Sequence, residues 1–317
     1  MSRARDALVG AGFRLGWRLA AVVPEGPADA LVEHLADRVA ARGGPRVRQL
    51  RANLRRARPA AGPAELDALV RAGLRSYARY WLDAFRLPAL TRERIVATVR
   101  FEGGEELRAA LAEGRGAVGF LGHLGDWDHA AAWSSTELAP VVTVAERLRP
   151  EGVYRQFVRF RRSLGVEVLP LGDPTTFRTL LRRVREGALV PLLADRDLSA
   201  SGVEVDFLGE RVRMATGPAA LALAGGAPLF PFVLHHEVRA GVRELVVRVG
   251  PRVRVPPAEP GRSAREQRRA AVAAMTQECA DVLAAAVRAH PEEWHVLQPV
   301  FAADLAPRAR TAAGGGA

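Results

Sequence analysis

From about residue 97 the hydrophobic pattern switches between short apolar runs and longer amphipathic stretches. The runs at 117–121, 141–145, 166–169 and 189–194 have strand length and are rich in Val, Leu and Ala. Continuous runs of that kind suit strands buried on both faces. Between them, 105–113, 124–135, 150–164 and 174–186 carry apolar residues at helical spacing. Gly165 and Gly187 stand just past two of these segments, and Asp173-Pro174 opens another as cap and first residue. Further strands are predicted at 203–207, 229–235 and 244–249, a helix opening at Thr216-Gly217-Pro218, and a long helix over 263–289. Strands and helices in alternation predict an α/β fold, a central, largely parallel or mixed sheet flanked by helices.

The first part of the chain is helical throughout. Residues 4–23 place Leu8, Leu15, Leu19 and Val22 on one face, Phe13 and Trp17 beside it, and Arg3, Arg14 and Arg18 on a separate ridge. Pro27 and Gly43 bracket a second helix. In 46–58, Val47, Leu50 and Leu54 oppose Arg46, Arg48, Arg51, Arg55, Arg56 and Arg58, and 64–86 ends at an aromatic cluster of Tyr77, Tyr80, Trp81 and Phe85. The reading is a single domain over 1–304, made of a helical N-terminal part (1–96) and an α/β part (97–304), then a tail over 305–317 whose small-residue composition predicts disorder.

Composition narrows the chemistry. All 46 basic residues among the 317 are arginine, and a chain without lysine forms no Schiff base and builds no Walker-type or kinase-type phosphate site. A lone Cys279 excludes an internal disulfide and a cysteine-rich zinc site, and no Gly-x-Ser-x-Gly elbow is present. The net charge of +11 seeks polyanions, either nucleic acid or anionic lipid headgroups. The arginines are not interleaved with aromatics as in RNA-binding motifs, and no DNA-binding fold is evident, which argues against nucleic acid. No apolar run reaches the roughly 18 residues that span a bilayer, and Arg14 and Arg18 interrupt the start of the chain. The expectation is an unprocessed monomer lying peripherally on the cytoplasmic face of an anionic membrane through its N-terminal helices.

The segment Gly122-His123-Leu124-Gly125-Asp126-Trp127-Asp128-His129 leaves a hydrophobic strand and enters a helix, and open α/β sheets place their sites at such strand ends. A histidine there can deprotonate a hydroxyl, provided a carboxylate orients its other ring nitrogen. Asp128, five residues on, is the expected partner if it reaches back from the second turn to His123, and backbone amides at the helix start could help hold an oxyanion. The Gly-x2-Gly spacing is not that of dinucleotide sites, and His123 and His129 lack the i, i+4 pairing of zincins, so no metal and no cofactor are expected. Asp195-Arg196-Asp197 ends a predicted buried strand, where charges need a reason; an ion pair with Arg196 is the alternative to a functional role. For Arg161, on an arginine-rich helix, the alternative is a solvated face. Trp127 and Trp133 are read as core.

These residues resemble a known family. Gly-His-x-Gly-Asp-Trp-Asp is similar to the active-site block of the bacterial lysophospholipid acyltransferase superfamily, in the lipid A late acyltransferase branch. Glu146-Arg147, Phe160-Arg161, Asp195-Arg196-Asp197 and Val205-Asp206-Phe207-Leu208-Gly209, in that order, match the same branch. The terminal block from Trp294-His295 to Val300-Phe301 is most similar to the actinobacterial phosphatidylinositol mannoside acyltransferases. The resemblance implies that His123 is the base with Asp128 its partner, that Glu146 and Arg161 line the acceptor side, and that Asp195 and Asp197 form a third substrate-binding block. It implies O-acylation of a mannose hydroxyl of phosphatidylinositol mannoside, with acyl-CoA as co-substrate. An acyl carrier protein donor, as in lipid A synthesis, and a non-catalytic lipid-transfer role are the alternatives.

Overall fold

The computed structural model describes residues 16, 23–147, 150–197 and 201–305. The nine strands among them are β1 (Val99–Glu102), β2 (Ala117–Leu121), β3 (Val141–Ala145), β4 (Val166–Pro170), β5 (Leu189–Leu193), β6 (Val203–Phe207), β7 (Glu210–Met214), β8 (Leu229–Arg239) and β9 (Val242–Val249). Seven of them form one sheet in the order β1-β9-β8-β2-β5-β3-β4, and β6 and β7 pair separately as an antiparallel ribbon. Every pairing in the large sheet is parallel except β8 with β9, so the sheet is mixed and mostly parallel. β2 lies near its centre with all five residues buried, as its unbroken apolar run requires.

The helices are α1 (Glu25–Arg42), α2 (Pro45–Ala57), α3 (Pro63–Arg86), α4 (Arg92–Ala97), α5 (Glu105–Ala112), α6 (Trp127–Glu137), α7 (Glu151–Ser163), α8 (Thr176–Arg185), α9 (Gly217–Gly225) and α10 (Ala264–Ala289). Each of α6, α7 and α8 joins two parallel strands of the sheet that follow one another in the chain, the crossover that parallel strands demand. On length and composition α10 could cross a membrane. It also carries Met275, Cys279, Leu283 and Val287 into the main core at i, i+4 spacing, as a core helix does.

The expected elements from 105 onward are present with ends shifted by a few residues. Three short elements were not expected: β1, α4 and β7. β1 is four half-buried residues on the sheet edge, too short for a pattern to show. β7 buries only Val212 and Met214, and it forms because it can pair with β6.

The N-terminal helices pack together through Leu50, Leu54, Leu66, Val70 and Leu74. The expected helix over 4–23 lies outside the described residues save for Gly16 and Val23, and the expected tail does so save for Leu305. The arginine ridge of α2 divides. Arg46, Arg48 and Arg55 are exposed. Arg56 turns inward instead, pairing with Glu210 and Asp304 at 2.8 Å each and lying 4.2 Å over the Phe301 ring.

Candidate active site

The register of two strands builds the centre of the site. β2 and β5 are parallel neighbours with Leu121 opposite Leu193, and the Ala194 N–H still donates to the Leu121 carbonyl at 2.8 Å. Two residues beyond each strand end, His123 therefore faces Asp195, although 72 residues separate them in the chain. His123 Nδ1 lies 2.6 Å from Asp195 Oδ1, and the His123 backbone N–H donates to Asp195 Oδ2 at 2.9 Å. The Trp294 indole N–H donates to the same Oδ2 at 3.2 Å. Burial pushes the Asp195 pKa up, but the positive charge of His123 and these hydrogen bonds outweigh it, leaving the carboxyl below its ordinary range. An ionised Asp195 can only accept, so Nδ1 carries the proton of this bond, and the His123 side chain lines a cavity on its other side.

The loop between β2 and α6 is pinned by the C-terminal segment. Leu124 bridges Trp294, the His295 N–H donates to the His123 carbonyl at 2.7 Å, and the Gly125 N–H donates to the Glu293 carbonyl at 3.0 Å. Gly125 has φ +65°, and a Cβ there would meet the Leu234 carbonyl oxygen at 2.6 Å, so both backbone and space require glycine. The amides of His123 and Gly125, ahead of the helix start, are thus occupied.

Asp128 is not the group that orients His123. It sits buried on α6, where its Oδ2 accepts from the Tyr80 hydroxyl at 2.8 Å and its Oδ1 from Arg161 Nε at 2.7 Å. The i, i+5 separation expected to bring Asp128 back to His123 instead points it across to α3 and α7. Burial disfavours the Arg161 cation, yet the Asp128 charge and hydrogen bonds outweigh it and raise the Arg161 pKa. Burial, with Asp128 alongside, also holds the Tyr80 hydroxyl far above the usual tyrosine range. Arg161 is therefore a half-buried ion-pair partner on the cavity wall and not part of a solvated face. Asp126 caps α6 by accepting the His129 N–H at 2.9 Å, and burial pushes its carboxyl well above the ordinary range.

A cavity of about 560 Å³ opens beside His123. Its walls are largely apolar, with Val144, Val168, Phe157 and Leu180 among them, and its polar lining includes Glu146, Arg161 and Arg196. Trp127, expected in the core, is one of its walls, 5.3 Å from the His123 ring, whereas Trp133 is buried and stacks on Phe101. Asp197 does not line the cavity. Its side chain is almost fully buried, accepting the Gly202 N–H at 3.0 Å and standing 3.7 Å from Arg213. The cavity thus brings together His123, Glu146 and Arg161, with Asp195 behind His123, while Asp197 holds the backbone.

Sequence reasoning gave no role to Ser76, Tyr80, Trp294 or His295. His295 lines the cavity, with Nε2 2.9 Å from Ser76 Oγ, and burial lowers its pKa to about 3. Glu293, two residues earlier, accepts from or pairs with His236 at 3.1 Å. Burial would raise the Glu293 pKa, but that partner draws it down to about 2. The only signal for Trp294 and His295 in the sequence is the terminal block, which carries a resemblance but no geometry.

Known proteins are similar to nearly the whole chain. A phosphatidylinositol mannoside acyltransferase of Mycolicibacterium smegmatis is 43% identical over 308 residues, covering 96% of this chain and 94% of its own length. One from Mycobacterium tuberculosis is 41% identical over 302 residues, covering 94% and 90%. The family model for bacterial lipid A biosynthesis acyltransferases matches residues 6–302. With nearly the whole chain matched in this way, the protein belongs to the bacterial lipid A biosynthesis acyltransferase family.

Proposed function

We propose that the protein transfers a long-chain acyl group from acyl-CoA to a mannose hydroxyl of phosphatidylinositol mannoside, with His123 as general base. The relatives that span almost the whole chain carry that acceptor in their names. The observation that carries the reading is the His123–Asp195 pair beside a largely apolar cavity. The acyl chain lies among Val144, Phe157, Val168 and Leu180, with the thioester carbonyl beside His123 and the acceptor sugar near Glu146. His123 Nε2 takes the proton of the hydroxyl as its oxygen bonds the acyl carbon. The imidazolium that forms is stabilised by Asp195. The tetrahedral intermediate collapses, the carbon–sulfur bond breaks, and the proton on His123 passes to the departing thiolate. A thioester is activated enough for this addition to need neither a metal nor a covalent enzyme intermediate.

The same reading sets the enzyme peripherally on the cytoplasmic face of the membrane, where an acyl-CoA and a lipid acceptor meet. The net charge of +11 suits an anionic surface. α1 also presents Leu31, Leu35 and Val39 along one side, exposed by 57%, 50% and 46%. The test is incubation with labelled palmitoyl-CoA and purified phosphatidylinositol mannoside, followed by product analysis. Label in an acylated mannoside supports the proposal. Label transferred only when an acyl carrier protein thioester replaces acyl-CoA, or no label on the lipid with either donor, counts against it.

A further inference from the structure

Among the described residues, the cavity lining includes one guanidinium with no ion-pair partner. Arg161, the other arginine on its wall, is committed to Asp128 at 2.7 Å. Arg196 forms no ion pair with any described residue, and its Nε is buried without a hydrogen-bond partner. The two acids that flank it in the sequence, the expected candidates for an internal ion pair, are both engaged elsewhere. Asp195 serves His123 and Trp294, and Asp197 serves Gly202 and Arg213. The backbone around it is stitched to β7, with the Asp197 N–H donating to the Arg213 carbonyl and the Ala215 N–H to the Ala194 carbonyl, each at 3.0 Å. A partly desolvated cation fixed in place without a counter-charge is costly, and it lowers that cost only when an anion arrives. Its planar fork matches a phosphate in two parallel hydrogen bonds.

We propose that Arg196 binds the phosphodiester of the lipid acceptor and so selects a phosphate-bearing glycolipid over a neutral one. The proposal rests on the acyl-transfer reading above, and deepens it by assigning the acceptor's charge to a residue. In the proposed reaction, phosphates come from two substrates. Those of coenzyme A are separated from the reacting thioester by the whole pantetheine arm. The phosphodiester of a phosphatidylinositol mannoside is attached to the inositol that bears the mannose, so it stays close to the reacting hydroxyl. Arg196 follows Asp195 directly in the chain, and Asp195 touches the catalytic histidine. Its position therefore fits the acceptor's phosphate and not the donor's.

The experiment is calorimetric binding of the deacylated acceptor, glycerophosphoinositol mannoside, to the wild type and to Arg196→Gln and Arg196→Lys. Mannosyl-inositol, which lacks the phosphate, and coenzyme A are titrated alongside, and thermal melts confirm folding. Loss of a charge-assisted pair should weaken binding of the phosphate-bearing ligand about 10–100-fold in Arg196→Gln. Arg196→Lys should fall between, and affinity for mannosyl-inositol and coenzyme A should not change. Equal binding of glycerophosphoinositol mannoside by wild type and Arg196→Gln overturns the proposal. So does a loss that falls on coenzyme A instead, or a wild type that does not prefer the phosphate-bearing ligand. Binding is read without turnover, so a wild type that shows this arginine-dependent preference yet transfers no acyl group would sink the functional reading and leave the anion site standing.

Discussion

At the scale of single residues, two aspartates divide the work that the His-x4-Asp spacing suggested for one. Asp195 holds the His123 ring, and Asp128 holds Tyr80 and Arg161. The cost of removing Asp128 should accordingly appear in the fold as well as in the rate. Asp128→Asn leaves the Arg161 cation buried without its charge, a loss of about 3–5 kcal/mol by analogy with broken buried pairs. Chemical denaturation should show a clearly lower midpoint for this variant; a wild-type midpoint with activity abolished would make Asp128 a catalytic group, as its spacing first suggested. The buried histidines make a second residue-scale prediction. Burial lowers His129 to about 4 and His295 to about 3, against an ordinary 6.5, and also lowers His290. The unfolded chain then binds more protons between those values, so their contribution is full above pH 6.5 and is lost as the pH falls toward 4. Asp126, pushed well above its range by burial, works in the opposite sense, as do Asp29 and Glu292 with smaller shifts, while the three histidines all start from 6.5, inside the window. Tm should fall as the pH drops from 7 to 5, by about 1.4 kcal/mol of stability per pH unit for each proton taken up net. A Tm that holds steady or rises over that range contradicts these environments.

At the scale of elements, what the sequence makes legible is what lies within one element or at its end. The runs at 117–121 and 141–145 match β2 and β3 residue for residue, and β2, buried on both faces, must be apolar throughout. The position of His123 was legible for the same reason: it stands two residues past such a strand. Its partner was not, because the pairing depends on which strand lies beside β2. Nothing local says that β5 does, 72 residues away, and the nearer Asp128 was the natural choice. Asp195 at a predicted strand end was the available clue, and Asp197, two residues on, showed the same clue without lining the cavity. The Glu293–His295 segment eluded pattern reading because it is irregular and acts through backbone bonds to the His123 turn. An element-scale prediction concerns α1. If its exposed Leu31, Leu35 and Val39 rest on a membrane, Leu31→Ser with Leu35→Ser should weaken binding to anionic vesicles by about 1–2 kcal/mol per residue. Tm should stay unchanged, because both side chains are exposed. Unaltered flotation with such vesicles would count against that face.

At the scale of the whole molecule, a mostly parallel sheet brings His123, the Asp195 carboxylate bonded to it and a largely apolar cavity together at its strand ends. The chemistry derived from that arrangement uses an activated donor and an acid–base pair, so dialysis against EDTA should leave the transfer rate unchanged. Loss of activity restored by added zinc would contradict it. The central claim is that Asp195, and not Asp128, sets the tautomer of His123. The most direct measurement is the transfer rate of Asp195→Asn, compared with wild type at equal folded concentration. The amide keeps the shape but no longer fixes the Nδ1 proton or stabilises the imidazolium, so the rate should fall by about 10²–10⁴-fold with the fold retained. An Asp195→Asn enzyme that transfers acyl groups at near the wild-type rate would contradict the account.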